Sequence, residues 1–275
     1  MYDLFYGMTC NPFRKDIPVK QLFKSKDITE FMACMEYFKQ VKGIGLVFGN
    51  PGMGKTTALR AFSAGLNSQL FSVCYLQLST VSVIEFYRAL CHGLGLLPAS
   101  RKVEMFRQLQ DHILTLCTQK KLTPVFILDE AQFISQDILN ELRMLFNFHM
   151  DSKDYAMLLL CGQNRFVSQL NLYGNEPLRQ RIMVHYEFTG LAGDEVPEYL
   201  QTLLKHAGIE IPIFKPEAVK ALTNLCEGSP RLLDQLVDKA LLLGYQHKQR
   251  EIDAGIIQTA HEANAIFATA GGVSA

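Results

Sequence analysis

Short apolar runs alternate with helical patterns over the first two thirds of the chain. Five runs are short and rich in aliphatic and aromatic residues, and stretches with apolar residues every three or four positions separate them. Strands that alternate with helices in this way are typical of a parallel sheet. The predicted strands are residues 44–48, 72–78, 124–128, 156–161 and 184–188.

Polar residues with capping potential mark the starts of several predicted helices. Asp27 with Glu30, and Ser82 with Glu85, have the spacing of a capping box, in which the two side chains bond each other's backbone N–H groups. Ser135 can cap a further helix. The helices are predicted to run from residue 27 to Gly43, over 55–64, from 82 to Gly93 or Gly95, over 103–116, and from Ser135 onward.

The last third of the sequence has a wholly helical pattern. Helices are predicted near residues 195–206, 216–226, 231–246 and 253–264, and no convincing strand appears among them. The sequence therefore predicts an α/β domain over residues 1–190, with a parallel five-stranded sheet flanked by helices. A small all-α lid domain over 191–266 and a weakly specified tail over 267–275 would follow it.

Charge and composition narrow the class of protein. The 275 residues are 48% hydrophobic and include 27 basic and 27 acidic side chains, so the formal net charge is zero. This excludes a globally basic nucleic-acid-binding coat but leaves local basic patches open. No apolar run approaches the roughly 18–20 residues of a membrane span. The start of the chain does not resemble a signal peptide, and the seven cysteines form no CxxC pair, so we expect free thiols in a cytoplasmic protein.

A phosphate-binding motif decides the class. Residues 49–56 read GNPGMGKT, which matches GxxxxGK[ST], and they lie between a predicted strand and a predicted helix. In such a P-loop, backbone N–H groups converge on phosphate oxygens, Lys55 neutralises the β- and γ-phosphates, and Thr56 binds Mg²⁺. The predicted nucleotide-binding residues are Gly49, Asn50, Pro51, Gly52, Met53, Gly54, Lys55, Thr56 and Thr57.

An acidic pair completes the motif set. A buried apolar strand ends in Asp129 and Glu130, at the edge of the sheet where parallel sheets bind ligands. We expect Asp129 to hold Mg²⁺ together with Thr56, and Glu130 to orient or deprotonate the attacking water. The sequence has no N/T-K-x-D motif of a GTPase, and it leaves no room for the second motor domain of a helicase.

Several further segments carry a family resemblance. They are Tyr2, Phe5 and Gly7, residues 11–13 (NPF), 25–27 (SKD), 42–46 (KGIGL), 129–132 (DEAQ), 141–147 (ELRMLFN), 177–182 (PLRQRI) and 228–231 (GSPR). With these segments the chain resembles the ExeA-like branch of AAA+ ATPases, and in particular the transposition-associated TnsC, TniB and IstB types. The resemblance covers most of the chain.

The resemblance implies an AAA+ core with a helical lid, ATP and Mg²⁺ as ligands, and assembly into a homo-oligomeric ring or filament, often on double-stranded DNA. It implies that Gln163, or its neighbour Asn164, contacts the γ-phosphate or the attacking water. Arg181, with Arg179 as second choice, would be the arginine finger supplied to a neighbouring subunit. Arg231 would reach the γ-phosphate from the lid. The predicted catalytic set is Glu130, Asp129, Lys55, Arg181, Arg179 and Gln163.

Candidate DNA contacts are polar or basic residues near predicted loops. Because the chain has no net charge, DNA binding would need several subunits and would depend steeply on salt. Each of these side chains can instead be an ordinary solvated residue. The candidates are Thr80, Ser82, Arg101, Lys102, Lys120, Lys121 and Lys153.

These expectations lead to one main hypothesis and two alternatives. The main hypothesis is an AAA+ ATPase that oligomerises on DNA with ATP and regulates a transposase in target selection or recruitment. The first alternative is an ExeA-like secretion or protein-remodelling ATPase without a DNA role. The second is a nucleotide-gated scaffold that hydrolyses little ATP. The end of the chain soon after the lid favours a cytoplasmic ATPase, with no membrane partner, over a secretion role.

Overall fold

A computed structural model describes residues 2–14, 17–77, 82–150 and 152–269. The described residues form two compact units. The sheet unit comprises Glu30–Pro51 and Lys55–Phe188. The helical unit comprises the described residues up to Thr29, the short segment Gly52–Gly54, and the described residues from Thr189 onward. The N-terminal segment is thus grouped with the helical region, whereas the predicted division into residues 1–190, 191–266 and 267–275 stays a prediction.

The sheet unit is built on five parallel strands. Their order is β2-β3-β4-β1-β5, so the first strand lies inside the sheet, and the carboxyl ends of all five strands meet at one edge. This confirms the predicted parallel five-stranded α/β fold. The strands are β1 (Gly43–Gly49), β2 (Phe71–Gln77), β3 (Thr123–Asp129), β4 (Met157–Gly162) and β5 (Ile182–Phe188).

Helices separate the strands and make up the helical unit. Along the described chain they are α1 (Tyr2–Tyr6), α2 (Lys26–Val41), α3 (Lys55–Gly65), α4 (Val83–Gly93), α5 (Lys102–Thr118), α6 (Gln136–Leu145), α7 (Asn164–Leu170), α8 (Glu176–Arg179), α9 (Glu195–His206), α10 (Pro216–Leu225), α11 (Pro230–Gln246) and α12 (Ala254–Thr269). Among the described residues, none of these helices is long and apolar enough to cross a membrane.

The central strands form the core of the sheet unit. Phe126 and Leu128 of β3, and Leu158 and Leu160 of β4, are fully buried and pack with the apolar faces of α4, α5 and α6. Each such side chain contributes roughly 1.5–3 kcal/mol through its removal from water. The core therefore fixes the end of β3, where the acidic pair begins.

The helix starts follow the sequence signals with one exception. Ser82 and Glu85 form the predicted capping box of α4, and Ser135 caps α6 by accepting a hydrogen bond from the Ile138 N–H. The predicted cap of α2 at Asp27 is wrong, because Ser25 accepts the Ile28 N–H at 3.2 Å and the helix begins at Lys26. Ser25 and Asp27 are both suited to cap this helix. Ser25 does so, and the Asp27 carboxylate bonds a different segment.

The carboxylate of Asp27 holds the chain that follows β5. It is buried and accepts hydrogen bonds from the N–H groups of Thr189 (2.9 Å) and Gly190 (2.7 Å). The backbone donor of Gly190, which is buried, and that of Thr189 thereby both gain a partner. Asp27 thus fixes the entry into the helical region.

The helical unit has its own core and several polar ties. Leu233, Leu236 and Val237 of α11 are fully buried among residues of α9, α10 and α12. The Tyr199 hydroxyl of α9 donates to Asp234 Oδ1 of α11 at 2.8 Å. Because α11 bonds to α9 and packs with the other helices, its start is held firmly.

Candidate nucleotide-binding site

The P-loop connects β1 to α3 and needs glycine at two positions. Gly52 and Gly54 have φ values of +84° and +95°, in the left-handed region that L side chains rarely adopt. A Cβ atom at Gly52 would also lie 2.5 Å from Ser229 Oγ. The glycines of the motif are therefore required by the backbone path, which leads into the N-terminus of α3.

Lys55 lies at the first position of α3. Its ammonium donates hydrogen bonds to the carbonyl oxygens of Gly49 and Asn50, both at 2.8 Å. The positive charge is thus held over the loop, at the amino end of a helix whose first N–H groups have no intrahelical partner. Positive charge and backbone N–H groups together suit a phosphate group.

Asp129 is buried at the end of β3 and accepts three hydrogen bonds. Its Oδ2 atom accepts from the hydroxyls of Thr56, at 3.1 Å, and Tyr75, at 2.9 Å. Its Oδ1 atom accepts from the Glu130 N–H at 2.9 Å. The structure therefore brings Thr56 and Asp129 together, as the motif requires, with the carboxylate held by donors on three sides.

Tyr75 is a member of this cluster that sequence reasoning missed. It lies in the middle of β2, where an aromatic residue is ordinary strand composition, so nothing in the sequence distinguishes it. Burial, and then the neighbouring charge of Asp129, raise the pKa of its hydroxyl. The same two causes raise the pKa of Cys161, which lies on β4. Both side chains therefore remain protonated at neutral pH.

The donor set beside the P-loop fits a magnesium ion. A threonine hydroxyl and a carboxylate supply oxygen atoms, which Mg²⁺ prefers, and Mg²⁺ in phosphate sites takes only one or two protein ligands. Thr56 is exposed, and Asp129 Oδ1 accepts only the Glu130 N–H among the bonds described above, which leaves it a further lone-pair direction. Both residues can therefore hold the ion together with phosphate oxygens and water.

Glu130 and Gln132 form a bonded pair next to Asp129. Glu130 has φ +57° and ψ +38°, a left-handed conformation that is uncommon outside glycine and is found at functional sites. The Gln132 Nε2 atom donates to Glu130 Oε2. The Gln132 Oε1 atom accepts from the backbone N–H of Gln163 at 3.0 Å.

The end of β4 reaches the site through two consecutive residues. Gln163 occupies the N-cap position of α7, but its side chain makes no capping hydrogen bond. Its neighbour Asn164 donates from Nδ2 to Asn50 Oδ1 in the P-loop at 3.2 Å. The backbone of Gln163 thus contacts Gln132, and the side chain of Asn164 contacts the predicted site residue Asn50.

The two predicted finger arginines have different surroundings. Arg181 is half-buried and donates to the carbonyl oxygens of Arg143, at 2.8 Å, and Phe146, at 3.0 Å, at the carboxyl end of α6. Arg179 is exposed, and its guanidinium donates to Asn171 Oδ1 at 3.1 Å. Arg181 therefore donates hydrogen bonds to carbonyl oxygens at the carboxyl end of α6, while Arg179 is exposed at the surface.

Arg231 lies in the first turn of α11. Within the helical unit its N–H donates to the Gly52 carbonyl at 3.4 Å, and the Ser229 side chain caps the helix by accepting the Leu232 N–H. The Arg231 side chain is exposed. The sequence GSPR thus forms a capped helix start that contacts the P-loop at Gly52.

The described candidate DNA contacts lie at different places in the sheet unit. Ser82 uses its hydroxyl in the cap of α4, and Lys102 pairs with Glu141 at 2.5 Å. The remaining lysines are exposed and precede β3 or β4, at the sheet edge opposite the carboxyl ends. Those lysines are Lys120, Lys121 and Lys153. Arg101 is exposed before α5, and Thr80 lies outside the described residues.

Comparison with known proteins agrees with this geometry. Residues 39–170 match the AAA domain family. The chain is 30% identical over 264 residues to general secretion pathway protein A of Aeromonas hydrophila, covering 94% of this chain and 48% of the relative. It is 26% identical over 148 residues to ATP-dependent target DNA activator B of Escherichia phage Mu, covering 54% of this chain and 43% of the relative. The chain thus spans about half the length of these relatives.

The fold is also shared with a solved structure. The ORC2 protein of Aeropyrum pernix, in its ADPNP–ADP complexes, matches 96% of this chain and 74% of its own with a TM-score of 0.69 and 13% identity. At that identity the likeness concerns the fold alone. The sheet order, the P-loop and the acidic pair agree with the family match, which marks residues 39–170 as an AAA-type P-loop ATPase domain in an AAA+ fold.

Proposed function

We propose that this chain binds ATP with Mg²⁺, hydrolyses it between subunits of a homo-oligomer, and uses the cycle to remodel a partner protein. The observation that carries the proposal is the cluster of Thr56, Asp129 and Glu130 at the carboxyl edge of the sheet, beside Lys55 and the P-loop. It supplies oxygen ligands, a positive charge and a carboxylate within one short stretch of structure.

In this mechanism each residue has one task. The P-loop N–H groups and Lys55 bind the phosphates, while Thr56 and Asp129 would hold Mg²⁺, which would supply positive charge that offsets the charge of the phosphates. Glu130 accepts a proton from the attacking water. Asn164 orients the γ-phosphate or the water, in agreement with its bond to Asn50 in the P-loop.

Two arginines, Arg231 and Arg179, supply further positive charge to the bound phosphates in this proposal. Arg231, whose backbone bonds Gly52, supplies a charge near the γ-phosphate. Arg179 acts as the arginine finger toward the neighbouring subunit, in preference to Arg181, because the Arg181 guanidinium is engaged by two carbonyl oxygens of its own chain. Such a residue stabilises the transition state only after assembly.

A protein partner is favoured over DNA by the extent of the similarity. The relative named for a secretion pathway aligns with 94% of this chain, and the phage relative named for target DNA with 54%. The second match still supports a second candidate function, an ATP-dependent assembly on DNA that regulates a transposase. The scattered positions of the candidate DNA contacts give that candidate less support.

One experiment tests the proposal and separates the two candidates. Glu130→Gln protein with Mg²⁺ and excess ATP should hydrolyse at least ~100-fold more slowly than the unaltered protein, since a general base contributes about 10²–10⁴-fold, and should form long-lived oligomers. Filter binding of labelled duplex DNA should show no ATP-dependent retention. Retention that falls steeply with salt would favour the DNA candidate, and a monomeric, fully active variant would contradict both.

A further inference from the structure

We propose that Gln132 is a positioning residue that holds the carboxylate of Glu130 in its catalytic direction and ties it to the end of β4. The inference rests on the proposed function, since it concerns how the general base of that reaction is aimed. Gln132 would touch neither the nucleotide nor the water, and it would act through Glu130.

The orientation of the Gln132 amide is fixed by its two partners. The backbone N–H of Gln163 can only donate, so the atom that it bonds at 3.0 Å must be the amide oxygen. The amide nitrogen then faces Glu130 Oε2 and donates to it. This assignment follows from the bonding network and needs no observed hydrogen atom.

The hydrogen bond from Gln132 restricts the orientation of the Glu130 side chain. The left-handed backbone of Glu130 fixes where its Cβ atom points, and the bond from its N–H to Asp129 fixes the peptide before it. The remaining freedom lies in the side-chain torsions. The Gln132 amide restricts them by donating to Oε2, and the carboxylate keeps lone pairs that can accept a proton from water.

The same amide connects Glu130 to a segment that contacts the P-loop. Gln163 is followed by Asn164, whose side chain bonds Asn50. Gly162 precedes it, and a Cβ atom there would lie only 3.1 Å from Gln132 Oε1, so the end of β4 leaves space for this amide. A shift of the β4 end would therefore move Gln132, and Glu130 with it.

Gln132→Glu is the sharpest test, because it separates the two hydrogen bonds. The new side chain keeps an oxygen that can accept from the Gln163 N–H, but it places a second carboxylate oxygen against Glu130 instead of a donor. We expect kcat to fall roughly 10- to 100-fold, since a small misplacement of a catalytic group can cost about 10²-fold. KM, the equilibrium affinity for ATP and the thermal unfolding midpoint should stay close to their original values.

Gln169→Ala is the matched control. Gln169 is another half-buried glutamine near this segment, and its amide donates to the Ile134 carbonyl at 3.0 Å. It has no bond to Glu130, so kcat should be unchanged. A loss equal to that of Gln132→Glu would show that any broken amide bond here slows the reaction, and it would overturn the proposal.

A double variant distinguishes positioning from a general structural effect. In a Glu130→Gln background there is no carboxylate left to aim, so adding Gln132→Glu should cause no further fall in the residual rate. An equal further fall, or an unchanged kcat for Gln132→Glu alone in an active protein, would overturn the positioning role and leave the proposed function intact. An unaltered protein that binds ATP but never hydrolyses it would overturn both.

Discussion

Asp129 shows how single residues prepare the site for a metal-bound nucleotide. Two hydroxyls and one N–H hold its carboxylate, although it is only 3% exposed. A buried carboxylate without such donors would be costly, and with them its oxygens have fixed positions. Thr56 and Asp129 would supply the oxygen ligands for Mg²⁺ there.

The two arginines before β5 give a prediction at this scale. Arg181→Ala removes two charge-assisted hydrogen bonds at the carboxyl end of α6 and should lower the free energy of unfolding by roughly 1–3 kcal/mol. Arg179→Ala changes an exposed side chain and should alter stability by less than about 0.5 kcal/mol. In the assembled protein, however, it should lower kcat by about 10³-fold or more.

Thermal unfolding and steady-state ATP hydrolysis, measured on both variants at a protein concentration that supports assembly, check this pair. If Arg179→Ala hydrolysed ATP at the original rate while Arg181→Ala was folded and inactive, the roles would be reversed.

At the scale of elements, the sequence predicted the strands and long helices but not the short elements. The five apolar runs and the helical periodicity are local signals, and the structure confirms them to within a few residues. Helices α1, α7 and α8 span only 5, 7 and 4 residues, too few for a periodic signal. The motifs predicted Lys55, Thr56 and Asp129 as site residues, and the structure brings the last two within hydrogen-bond distance.

Local sequence patterns could not predict the contacts between segments that are distant along the chain. Tyr75 reaches Asp129, and Gln132 reaches Gln163, only because the parallel sheet places β2, β3 and β4 side by side. Asp27 has a good capping pattern but is used by Thr189 and Gly190, more than 160 positions away. Such partners depend on topology, which a single sequence does not specify.

The bond between α9 and α11 gives a prediction on pH. Burial is the main cause that raises the pKa of Asp234 to about 7, from an ordinary value of 3.8, although the bond from Tyr199 lowers it. Between about pH 4 and pH 7 the folded protein therefore holds a proton that the unfolded chain has released. The contribution of Asp234 to stability falls as pH rises through that window, by at most about 4 kcal/mol.

Asp234→Asn removes this titration and keeps an oxygen for the Tyr199 hydroxyl. The variant should be more stable than the original protein, and its advantage should grow from pH 4 to pH 7 and then level off. Denaturant unfolding of both proteins across this range gives the difference directly. An advantage that is independent of pH would show that Asp234 does not titrate in this window.

At the scale of the whole molecule, the residues of the P-loop belong to two different compact units. The sheet unit carries the acidic pair and the amide network, and the helical unit contains Gly52–Gly54 together with the start of α11. The P-loop is thus divided between two compact groups of residues, although it is one continuous stretch of chain.

The central claim is that the P-loop and the acidic pair bind one Mg²⁺–ATP. The most direct measurement is equilibrium binding of labelled ATP to the unaltered protein and to Lys55→Ala, with Mg²⁺ and with a chelator. We expect saturable binding by the unaltered protein that weakens without Mg²⁺, and at least ~10-fold weaker binding by Lys55→Ala, since charged hydrogen bonds contribute about 1.5–3 kcal/mol. Absence of binding, or equal binding by the folded variant, would contradict it.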